Sequence, residues 1–169
     1  MKKTFFILMA VSMLFSACKT NQNQMGDNPF FADYGTPFEV PDFSKIKIEH
    51  YMPAFEEGIK QHAAEVEAIA NNEDAPTFEN TLVALDKSGA LLDRVSSVFY
   101  NQFSANTNDE IKAINQEIAP KLAAHSDNIN LNPKLFSRIK VVYDEQQALN
   151  LNIEAQNEQA LSTEQTALL

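Results

Sequence analysis

At 169 residues, with 44% hydrophobic and 21% charged side chains, the chain is long enough for one domain with its own core and has ordinary globular composition. Four glycines and no tryptophan exclude a collagen-like chain and argue against a β-rich one, so all-α is the expected class. Acidic side chains outnumber basic ones by 23 to 13, and the net charge of −10 disfavours nucleic acid and anionic lipid as ligands, since both need basic patches.

Residues 1–17 read as a secretory signal: Met1-Lys2-Lys3 is a basic start, and Phe5 to Phe15 is an apolar run too short to span a bilayer as an ordinary helix. Phe15-Ser16-Ala17-Cys18 then places small residues before the single cysteine, which resembles the lipobox of bacterial lipoproteins, with Phe15 where leucine is usual. The resemblance implies lipidation of Cys18 and a membrane anchor, strong because each buried CH₂ contributes about 0.8 kcal/mol. The other reading is plain cleavage after Ala17, leaving a free thiol. Residues 18–28 follow as a polar tether without an acidic cluster, which by resemblance to lipoprotein sorting signals implies the periplasmic face of the outer membrane in a bacterial cell envelope. Cleavage removes Lys2 and Lys3 and no acid, leaving 11 basic against 23 acidic side chains, a charge of −12. With one cysteine, no intramolecular disulfide can form, and packing must supply the stability.

Residues 29–169 form the expected helical domain. The stretch "NPFFADYGTPFEVPDFSKIKI" (28–48) carries three prolines and five aromatics, Phe30, Phe31, Tyr34, Phe38 and Phe43, which predicts an extended strap laid over helices. A first helix is expected from Tyr51, with Pro53 in its first turn and an apolar face of Met52, Phe55, Ile59, Ala63, Val66 and Ala70, ending at Asn71-Asn72 ahead of Pro76. Thr77 is a good N-cap for a second helix, whose stripe Phe78, Leu82, Leu85, Gly89, Leu92, Ser96, Phe99, Phe103 keeps helical spacing without a break over about 28 residues, near 42 Å at 1.5 Å per residue. Gly89 costs such a helix about 1 kcal/mol, so its expected use is to let a crossing helix approach.

Asn108 caps a third helix with Ile111, Ile114, Ile118, Leu122, His125 and Ile129 on one face and a kink expected at Pro120. Asn132 and Pro133 open a fourth, with Leu135, Phe136, Ile139, Val142 and Tyr143 inward. Ser162 could cap a fifth, and Leu168 and Leu169 would begin its apolar face. A chain that stops one turn into a new apolar helix reads as truncated, because so short a helix cannot stand alone.

Chemistry is hard to find. No catalytic, cofactor-binding or metal residue stands out: His50, His62 and His125 form no dense ligand cluster, and no nucleophile elbow or phosphate loop is present. His62 and Glu65, three apart on one helix, could supply two ligands of a carboxylate-type site, although a solvated face explains Glu65 and Glu67 more simply. His125, on an apolar stripe, reads as a core or interface histidine. Tyr51, Tyr100 and Tyr143 read as packing residues, and the acidic pairs as exposed positions or helix starts.

The run from Ile46 to Asp144 closely resembles the amino-terminal region of the thimet oligopeptidase family of zinc metallopeptidases, in particular bacterial peptidyl-dipeptidases and oligopeptidase A. The pieces that carry the resemblance are "PAFEEGI" (53–59), "PTFENT" (76–81), "SGALLDRV" (88–95), "ANTNDE" (105–110), "IAPKLAAHSD" (118–127) and "LNPKLFSRI" (131–139), and the match covers residues 29 to about 152. It implies an extended strap, about four long helices and the start of a fifth, together one wall of a substrate channel in a larger helical peptidase fold. It also implies oligopeptide substrates, release of carboxyl-terminal dipeptides, and a zinc bound further along the family's sequence, in a carboxyl-terminal region this chain lacks. "STEQTALL" resembles the start of the family's next helix. The chain alone is therefore expected to hold no cofactor and to be inactive. The alternative is a non-catalytic, lipid-anchored helical module that binds peptides or proteins; a carboxylate-bridged metal bundle would need paired E-x-x-H motifs, which are absent.

Overall fold

A computed structural model describes residues 27–167, with side chains placed through Glu154 and at Gln156; the signal and Cys18 lie outside the described residues. Among the described residues there are helices and turns and no strand. The helices are α1 (Tyr51–Ala70), α2 (Ala84–Lys87), α3 (Ala90–Ala105), α4 (Asp109–Asn130) and α5 (Pro133–Ala167), and a wide π-helical turn, Phe78–Val83, leads into α2.

The helix starts are where the capping residues place them. Thr77 Oγ1 accepts the Asn80 N–H at 3.1 Å while Asn80 Oδ1 accepts the Thr77 N–H at 2.8 Å, a reciprocal cap. Asn108 Oδ1 accepts the Ile111 N–H at 2.8 Å, and Asn132 Oδ1 accepts those of Lys134 and Leu135. Asn71 ends α1.

The main core lies between α1, α3 and α4 and is built from Tyr51, Ala54, Phe55, Leu92, Val95, Val98, Phe99, Ile111, Ile114 and Ile118. The Phe99 ring meets Tyr51 and Phe55 edge-on, with centroids 5.2 and 5.3 Å away, the offset geometry the ring quadrupole favours. A second cluster joins Val66, Ile69 and Ala70 of α1 to Leu135 of α5. Gly58 is what brings α1 onto α3: a Cβ there would lie 3.0 Å from the Leu92 Cα.

The strap covers the core at one end only. Phe30 is fully buried against Tyr51, worth about 2 kcal/mol of apolar transfer, and Phe31, Tyr34, Ile46 and Ile48 pack around it. Asn28 donates to the His50 carbonyl at 2.9 Å. From α3, Arg94 donates to the Ala32 carbonyl at 2.9 Å and lies over the Tyr34 ring. Phe43 is 44% exposed, and Phe38 is wholly exposed in a turn with φ +60°, so these two aromatics do not bury as a continuous strap requires.

Four other expectations need correction. The second helix is not continuous: Ser88 is extended and Gly89 left-handed (φ +78°), so α2 and α3 are separate. On α1 it is His62, not Ala63, that is partly buried on the inner side. No new helix begins at Ser162, because α5 runs 35 residues, about 52 Å, through Ala167. On α5, Leu135 and Val142 are buried, but Phe136 and Tyr143 are 64% and 59% exposed rather than inward, and every described side chain from Tyr143 onward is exposed.

Candidate functional site at a histidine junction

One group of polar side chains comes together inside this fold where α1, α4 and the α2–α3 break meet. His62 Nδ1 of α1 and His125 Nε2 of α4 are 3.0 Å apart, with ring centroids at 4.9 Å and planes inclined by 66°. His125 is 8% exposed, and burial, followed by the neighbouring His62, pushes its pKa below the ordinary histidine value. The core assignment of His125 therefore holds, and the partner that spacing could not name is His62.

Glycine makes the junction possible. A Cβ on Gly89 would lie 2.9 Å from His62 Nδ1. Next to it, Glu65 Oε2 accepts the Gly89 N–H at 2.7 Å, and the Gly89 carbonyl accepts the Asp93 N–H that starts α3. The Ser88 hydroxyl donates to the Leu85 carbonyl, closing α2. The i, i+3 pair His62 and Glu65 thus binds two different neighbours, and among the described residues no three His, Cys, Asp or Glu side chains converge as metal ligands.

A second polar junction was missed by periodicity. Arg138 of α5 is 7% exposed and grips the loop after α1: Nη1 donates to the Asn72 and Asp74 carbonyls at 2.7 and 3.0 Å, and Nη2 to Asn80 Oδ1 at 3.0 Å. Its fork, facing carbonyls instead of a carboxylate, ties three segments together. The sequence signal was only an arginine one position before Ile139 on an otherwise apolar side. A groove of about 610 Å³ beside the start of α1 is lined by Lys45, Lys47, Glu49 and His50, but His50 Nδ1 is occupied as acceptor of the Lys47 N–H. Neither junction holds a nucleophile paired with a base, so the chemistry on offer is packing and proton binding.

No family model matches the chain. Among curated proteins it is 44% identical over 131 residues to a dipeptidyl carboxypeptidase of Salmonella typhimurium, covering 78% of this chain and 19% of that protein. It is 41% identical over 128 residues to the dipeptidyl carboxypeptidase of Escherichia coli, and 26% identical over 117 residues to Oligopeptidase A of Escherichia coli, covering 76% and 69% of this chain. These homologues are of the thimet oligopeptidase family. It spans about a fifth of the length of these curated relatives, 19% of each dipeptidyl carboxypeptidase and 17% of the Oligopeptidase A. The histidine and arginine junctions are thus features of a helical chain whose relatives are much longer proteins.

Proposed function

We propose that this chain is the amino-terminal, channel-wall portion of a zinc-dependent peptidyl-dipeptidase that removes dipeptides from the carboxyl ends of oligopeptides. The observation that carries the reading is the 44% identity over 131 residues to a dipeptidyl carboxypeptidase. The apolar side chains that α5 leaves in solvent, Phe136, Tyr143, Leu149 and Leu151, all more than half exposed, support it, because this much exposed apolar surface calls for a covering partner. The described residues do not fit a zinc site: two imidazoles bond to each other, the Glu65 carboxylate on the same helix as His62 is engaged by the Gly89 N–H, and no three possible ligands converge. No step of zinc chemistry is assigned to them, and the catalytic groups are assigned to the portion of the relatives with no counterpart here.

Reading the coding DNA past Leu169 tests this directly. An H-E-x-x-H codon run in frame, or recovered by one frameshift, supports the peptidase; none within about two kilobases overturns it. The alternative, a non-catalytic binding module, predicts that residues 19–169 unfold cooperatively as a monomer and bind peptides, whereas aggregation through the α5 face favours the peptidase portion. Anchoring through Cys18 at the periplasmic face of the outer membrane belongs to the same proposal, motivated by the lipobox-like residues 15–18. Detergent partitioning checks it: the native protein should enter the detergent phase and Cys18→Ala should stay in water, and a native protein that stays in water would reject the anchor.

A further inference from the structure

From the geometry of the histidine junction we infer that His62 and His125 act as a proton-sensitive catch, holding α1 against α4 at neutral pH and releasing them in mild acid. The facing nitrogens, His62 Nδ1 and His125 Nε2, are 3.0 Å apart, a distance that requires one to donate and the other to accept. One added proton is tolerated, since an imidazolium can still donate to a neutral imidazole. A second turns both facing nitrogens into donors, leaves neither an acceptor, and places two positive charges in contact where His125 is 8% exposed.

Among the described residues no carboxylate is hydrogen-bonded to either imidazole in a way that would take up the second charge. On α1, the Glu65 carboxylate accepts the Gly89 N–H. On α4, Lys121, one turn before His125, is cationic and bonded to Glu56 and Glu117. Flanking the α2–α3 break, Lys87 pairs with Glu79 and Asp93 is exposed. On α5, Arg138 is spent on the Asn72 and Asp74 carbonyls.

The sign follows from linkage. Burial and the neighbouring imidazole lower the folded-state pKa of His125 beneath its unfolded value, so below about pH 6.5 the unfolded chain binds the proton more readily. The stabilising contribution is complete above that pH and is lost as pH falls through the lower, folded-state value. Opening should begin locally, because beyond Ile118 α4 meets α1 through the partly buried Leu122 and Ile129, the exposed Lys121–Glu56 ion pair and this histidine pair, with no fully buried apolar side chain on α4 among them.

The test is amide hydrogen exchange on the whole 169-residue chain at about pH 7.5 and about pH 5.5, expressed as protection factors so that the intrinsic pH dependence of exchange is removed. Asp42 and Glu57, whose pKa values are held below normal by hydrogen bonds, stay ionised throughout this window and do not contribute. The expected result is a severalfold loss of protection in α4 around His125 at the lower pH, which His125→Gln abolishes, His62→Gln reduces to the part that burial of His125 alone supplies, and His50→Gln leaves intact. Equal protection at both values, an acid loss that survives in His125→Gln, or one of full size in His62→Gln overturns the inference. Should those variants fail to fold, imidazole nitrogen shifts of the native chain decide: two coupled titration steps support the catch, and two independent, ordinary histidine titrations overturn it.

Discussion

Three single residues set local geometry that no neighbour could replace. Gly89 does two things at once, adopting a left-handed conformation and leaving space for the His62 ring. Gly89→Ala should therefore cost about 2–3 kcal/mol, more than the usual helical preference would return, measured by urea unfolding at neutral pH. Gly58→Ala meets backbone instead of a side chain, 3.0 Å from the Leu92 Cα, and should cost about 1–3 kcal/mol by pushing α1 off α3. A neutral effect at either position would mean that the helices are free to shift. Arg138→Lys should lose about 2 kcal/mol in the same assay despite keeping the charge, because an ammonium cannot span the Asn72, Asp74 and Asn80 oxygens that the guanidinium fork bridges.

At the scale of elements, local sequence and tertiary contact pull in the same direction except at two places. Caps at Thr77, Asn108 and Asn132 and the stripe Ile111–Ile114–Ile118 were legible because each depends on residues within one or two turns. The Ser88–Gly89 break was not, because an unbroken apolar stripe fits one helix as well as two, and the choice falls to Glu65, 24 residues away in sequence. The reach of α5 was misread for a related reason: its inner stripe ends at Val142 while helix-forming residues continue, so helix and core end at different points. Asn108→Ala should lower stability by about 1 kcal/mol through loss of the α4 cap, seen as a lower urea midpoint with an unchanged slope. The double change Phe136→Ser with Tyr143→Ser should leave the stability of the chain within about 0.5 kcal/mol while reducing its self-association in sedimentation, since both side chains lie on the bare face. A large loss of stability would place them in the core after all.

Across the whole molecule, the apolar residues divide into a large cluster centred on Phe99 and a smaller one around Leu135, joined through α1. The sequence by itself determined the class, the helix starts at Tyr51, Asp109 and Pro133, most of the core list and the resemblance to thimet oligopeptidases, which returns as 44% identity to a dipeptidyl carboxypeptidase. These are properties of short windows, where period, cap and composition act within a few residues. Only the tertiary structure decided that His62 turns inward to His125, that Glu65 fixes the break at Gly89, that Arg138 gathers the loop after α1, and that Phe136 and Tyr143 face outward. Each of those outcomes depends on a partner roughly 24 to 66 residues away, or on a neighbour being absent, and helical periodicity gives the spacing of a face without fixing which way that face is turned.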